Sequence, residues 1–190
     1  MSINNTIQAQ TMTGGEHERR SRRGITAESV FNQCCENNDI YREASTRTQD
    51  MRFHWDGLVN IDGTLRPYDV KDAKGAYEED GLFLIELKNV NGDTGWCSLD
   101  PMGPYWIAFY LNDRNAFFLV KSIDLHECVY NPIVSHTTDN KEEAKRLKCG
   151  YTRINYGRDD LMGYIDEETI KNNCLHKYYH IDPENPRFEI

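Results

Sequence analysis

Two β-prone runs joined by a polar link constrain this chain most: Tyr68-Asp69-Val70-Lys71 and Leu82-Phe83-Leu84-Ile85-Glu86-Leu87-Lys88-Asn89. In a strand, residues i and i+2 project from the same face. Glu86 and Lys88 therefore sit side by side, with Ile85 and Leu87 turned into a core. Asp69 and Lys71 repeat the arrangement with Val70 inward. As neighbours in one sheet, the two strands would deliver Asp69 and Glu86 to one spot with Lys88 beside them. A carboxylate pair binds a hard divalent cation such as Mg²⁺ (or Mn²⁺) through oxygen. An adjacent lysine orients an attacking water or stabilises charge developing on a phosphate. The opposing reading is an ordinary half-exposed strand, which also alternates charged and aliphatic residues.

The surrounding chain predicts an α+β fold. Ala27, Val30, Phe31 and Cys34 recur at helical spacing, so a helix is expected from Ile25 to Asn37 with Thr26 as its cap and Glu28 in its first turn. A first strand is expected within Phe53 to Ile61, turning at Asp62-Gly63 into a second from Thr64 to Lys74. Tyr105 to Leu111 and Ala116 to Val120 read as a hairpin across Asn112 to Asn115. Helices are expected from Ser122 to Val129, capped by Ser122, and from Ile165 to Cys174, capped near Asp166. The charged run Thr137 to Lys148 reads as a solvated helix or loop, and Tyr151 to Tyr156 as an edge strand. The expected organisation is one domain over 24–182, after a flexible basic arm over 1–23 and before an extended tail over 183–190.

The Asp69 and Glu86-Leu87-Lys88 pattern resembles the PD-(D/E)XK nuclease superfamily, although Tyr68 stands directly before Asp69 and Pro67 lies one residue earlier. Three further runs are similar to uncharacterised phage-encoded proteins carrying that core: Asp50 to Asp56, the Asn-x-x-Gly-x-x-Gly-Trp run Asn89 to Trp96, and Tyr156 to Leu161. The resemblance implies a restriction-endonuclease-like core, a central mixed β-sheet flanked by helices. It implies a metal-dependent endonuclease or DNA-processing phosphodiesterase of viral or phage origin acting on nucleic acid, DNA above all. Asp69, Glu86 and Glu28 would hold Mg²⁺, and Lys88 would position the water. Lys71, Arg158, His54, Arg22 and Arg23 would contact phosphate or DNA. Asp50 or Asp56 would serve as an outer metal contact, and Trp96 would stack on a base or close the core. A homodimer is the expected form if both strands of a duplex are cut. The alternative is a catalytically inactive protein on the same scaffold that binds DNA or a host protein to counter host defence. A structural virus component is a third reading.

Composition limits these readings. Net charge of −9 argues against a general nucleic-acid binder, though its acidic surface would suit a partner that normally grips DNA. Mean hydropathy of −0.74 and apolar runs too short for a bilayer predict no membrane association. The polar start, without an apolar signal core, predicts a cytoplasmic protein, in the host cell if phage-encoded. The six cysteines include no C-x-x-C pair, so free thiols are expected. A zinc site would have to combine some of them with His126, His136 or His176.

Overall fold

The computed structural model describes residues 14–73, 81–97, 99, 102–153, 157, 159–182 and 184–189. Helix α1 (Gly14–Asn37) takes in residues 14–23 of the expected arm, so Thr26 lies inside it. The strands that follow are β1 (Arg42–Ala44), β2 (Gly57–Asn60), β3 (Leu65–Asp72), β4 (Leu82–Lys88), β5 (Trp106–Leu111) and β6 (Ala116–Lys121). A short helix, α2 (Arg47–Phe53), lies before the expected first strand and takes in only its first residue, Phe53. Thr46 and Gln49 close a reciprocal capping box at its head. Helix α3 (Ser122–Ser135) is longer than expected, and Ser122 begins it rather than capping it. Then come β7 (Thr137–Thr138), α4 (Lys141–Leu147), β8 (Gly150–Thr152), β9 (Leu161–Asp166), α5 (Glu167–Asn173), β10 (His176–Ile181) and β11 (Phe188–Glu189). Asp166 caps α5 by accepting from the Thr169 amide at 2.8 Å.

Among the described residues these strands make two sheets, a larger one in the order β1-β2-β3-β5-β6-β10-β11 and a smaller one in the order β4-β9-β8-β7. In the larger sheet β3 and β5 run parallel and the other neighbours antiparallel. The β2–β3 hairpin turns at Gly63, whose φ of +82° favours a residue without a Cβ. The C-terminal stretch, expected as an extended tail, adds β11 to the sheet edge and buries Phe188. No described helix is long and apolar enough to cross a membrane.

Register decides which side chains meet. Tyr68 pairs with Trp106 and Val70 with Ala108, and these face α1 through Ala27 and Phe31. The alternate residues Ile107 and Phe109 face the smaller sheet, where they join Phe83, Ile85 and Leu87 of β4 and Leu125 and Val129 of α3. Asp69 and Lys71 pair with Ile107 and Phe109, so they belong to that second, otherwise apolar layer. The two sheets meet at Phe83 and Phe109, whose ring centroids are 4.6 Å apart. Phe83→Ala should therefore open a void between the sheets and cost about 3–5 kcal/mol, read as a lower urea midpoint in equilibrium unfolding.

Candidate active site

Asp56 precedes β2 at the open end of the hairpin, where the ladder would otherwise stop. Its amide donates to the Tyr68 carbonyl at 2.9 Å. Its Oδ2 accepts from the Val70 amide at 2.6 Å, so the side chain continues the ladder in place of backbone. Gly57 allows this close packing, since a Cβ there would lie 2.3 Å from the Glu43 carbonyl on β1. Asp56 lies close enough to Asp69 on β3 and to Glu28 on α1 to raise the proton affinity of both. Lys71 Nζ lies 2.7 Å from Asp69 Oδ2. Three carboxyls and one ammonium from three segments thus form a connected group.

Burial and like charge raise proton affinity here. Burial, followed by the hydrogen bond and charge of Asp56, lifts Glu28 to about 7. Asp69 is 3% exposed. Burial pushes it up to about 7 against the pull of Lys71, with Asp56 adding to the rise. Burial pulls the Lys71 ammonium down, but the Asp69 carboxylate outweighs it and the net shift is upward. Lys71 also lies 5.3 Å from the Trp96 ring centroid. Trp96 meets Phe109 edge to face at 6.1 Å, so it closes the core and roofs the lysine.

The expected adjacency of the two strands is not found. β3 lies in the larger sheet and β4 in the smaller, where β4 pairs with β9. Ile85 and Leu87 point into the core as expected, which turns Glu86 and Lys88 to the opposite face of β4. Burial raises the Glu86 carboxyl, while Lys71 lowers it from a distance. Lys88 is exposed, and its backbone bridges to Thr94 across an irregularity in the β4–β9 register. Asp50 is exposed on α2 and adds charge near Glu28. His54 has φ of +57° and places Nε2 3.3 Å from the Thr94 carbonyl oxygen. It lines a cleft of about 620 Å³ between α2 and the Asn89–Thr94 turn rather than the carboxylate group. Arg158 lies outside the described residues, as do the side chains of Arg22 and Arg23, whose backbone belongs to α1.

Sequence reasoning gave Asp56 only an outer role, whereas it joins the other two acids. The available signal was a second acid-x-lysine, Asp69-Val70-Lys71, one hairpin after Asp56. The cysteines are free. His126 and His176 have Nδ1 3.0 Å from the carbonyl oxygens of Cys97 and Cys174. Among the described residues, no three or more His, Cys, Asp or Glu side chains form a metal-holding group. The Glu28–Asp56–Asp69 set presents oxygen donors only, which is the chemistry of Mg²⁺ rather than zinc. The chain matches no protein-family model, curated protein or solved structure in the three comparisons made.

Glu28 and Asp69 retain protons in the folded chain that the unfolded chain has released, from the ordinary carboxylic range up to about 7. Their contribution to stability is complete below that range and is lost as pH rises through about 7. The melting temperature should fall between about pH 5.5 and about pH 7.5. Glu28→Gln should flatten that slope in a differential scanning series.

Proposed function

We propose that this chain is a metal-dependent nuclease of the PD-(D/E)XK kind whose site is built from Glu28, Asp56, Asp69 and Lys71. The observation carrying this reading is that an acid from the first helix, an acid before β2 and an acid-x-lysine on β3 converge in one contact group. On this reading the superfamily pattern would fall on Asp56 and on Asp69-Val70-Lys71, with Trp55 in the place of the proline. The mixed sheet, with α1 on one face and α3 on part of the other, supports a restriction-endonuclease-like core.

Asp56 and Asp69 would hold Mg²⁺, with the Glu28 carboxyl adding negative charge beside Asp56. Burial does most to raise the proton affinity of these carboxyls, and the negative charge that adds to it also favours a divalent cation. The bound ion supplies positive charge beside the scissile phosphate. Lys71 is held between Asp69 and the Trp96 ring, so its ammonium is oriented before substrate arrives. It serves to position the attacking water and to stabilise negative charge on the phosphoryl oxygens. Glu86 acts at longer range, through its field on Lys71.

A second reading has its own support. The Asp69–Lys71 pair is already closed at 2.7 Å with Asp69 buried, so the scaffold needs no cation for that neutralisation. That arrangement suits a nuclease-fold protein that binds DNA or a host protein without cutting it.

Plasmid incubated with the chain and Mg²⁺ or Mn²⁺ separates the two readings, since only the first predicts nicking. Asp56→Asn and Asp69→Asn should each lower the nicking rate on the order of 10²-fold or more. Glu86→Gln should cost less than about tenfold; a loss equal to that of Asp69→Asn would return the site to β4. Near pH 7.5, Mg²⁺ at about 100 times its dissociation constant should add roughly 2.7 kcal/mol of stability to the unaltered chain. Asp69→Asn should show little of that shift by thermal denaturation, and chelator should reverse it.

A further inference from the structure

A second cavity, of about 470 Å³, lies where β3 and β5 begin and β6 passes into α3. Its walls include Leu65, Pro67, Pro104, Tyr105 and Ile123. The guanidinium carbon of Arg66 sits 4.5 Å from the Tyr105 ring centroid. Arg66 Nε is buried with no hydrogen-bond partner among the described residues. The other end of the cavity is the head of the 14-residue helix α3, which no side chain caps. The Ser122 amide donates to the Tyr105 carbonyl at 2.9 Å, which leaves the next amides of the first turn without intrahelical acceptors. Ser122 itself is 3% exposed and lines the cavity, and its hydroxyl makes no hydrogen bond among the described residues. The one acid at this helix head, Asp124, is engaged by Lys121 Nζ at 2.9 Å and by the Leu175 amide at 2.9 Å.

We propose that this cavity is a nucleotide subsite that takes one unpaired nucleotide of the nucleic-acid strand. The phosphate rests on the α3 amides and the Ser122 hydroxyl, and the base lies against the Arg66–Tyr105 stack. Helix-head amides favour an anion, and planar apolar walls with a guanidinium favour a base face. This rests on the nuclease reading and sharpens it. Pro67 and Asp69 are two residues apart on β3, roughly 7 Å, so the subsite adjoins the proposed point of cutting. A base stacked and paired in a duplex cannot enter such a cavity without being flipped out. The substrate class is therefore DNA with an unpaired base beside the cut, a single strand or a flap.

The test measures binding without cutting. The full chain carrying Asp69→Asn, in chelator, is titrated against a fluorescent single-stranded DNA oligonucleotide and against the same sequence as a blunt duplex. The single strand should bind more tightly than the duplex. Adding Ser122→Asp should weaken single-strand binding by about tenfold or more, and adding Arg66→Ala should weaken it severalfold. Aspartate in the first turn suits the helix, and the Arg66→Ala arm answers independently if Ser122→Asp unfolds. Single-strand binding unchanged in both variants, or a duplex bound as tightly, overturns the proposal. Cutting by the unaltered chain together with unchanged binding in both variants would reject the subsite and keep the nuclease. Variant-sensitive single-strand binding without any cutting would keep the subsite and reject the nuclease.

Discussion

The Asp56 carboxylate replaces one rung of the β2–β3 ladder, and the arrangement around it depends on that substitution. A backbone carbonyl in that place would satisfy the Val70 amide equally well but would bring no charge. With a carboxylate there, the hairpin ends in an anionic group that Glu28 approaches from the helix and Asp69 from the neighbouring strand. Lys71 offsets part of the accumulated charge from the same face of the same strand. The raised proton affinity of Glu28 and Asp69 comes from bringing carboxyls together in a poorly solvated place.

The architecture maintains that crowding. One face of the larger sheet is closed by α1 through Phe31, Tyr68 and Trp106. The other is closed by β4, α3 and their aromatic contacts. Asp69 and Lys71 occupy positions in the second layer where the register otherwise places Ile107 and Phe109. A single-residue slip of β3 would send both charges to the α1 face and bring Val70 to the site. The extensive in-register pairing of β3 with β5 opposes such a slip.

Much of the local structure was legible because local chemistry determines it. The Asp62-Gly63 turn, the Asn112 to Asn115 connection and the Asp166 cap each carry their signal within a few residues. Sheet membership was not. The run from Leu82 to Lys88 alternates as well as β3 does, and nothing within it tells a partner on β3 from a partner on β9, some eighty residues later. Acid-x-lysine occurs twice in strand context, at Asp69 and at Glu86, and neither copy records which sheet its strand joins. The hydrogen bond that the Val70 amide donates to Asp56 was not legible either, since no periodicity records it.

The parallel pairing of β3 and β5 carries a consequence for how the chain matures. Parallel neighbours cannot be joined by a tight turn, so the chain leaves the larger sheet after Asp72, builds β4 in the smaller one, and returns at Trp106. During synthesis the β2–β3 hairpin can close as soon as it emerges, but its acids keep a wet flank until β5 has followed. Until Leu111 clears the ribosome, Asp69 has neither Ile107 nor Phe109 beside it and behaves as a surface carboxylate. The unusual proton affinity of this group therefore arises late, as a property of the finished layer rather than of the segment that supplies the acids.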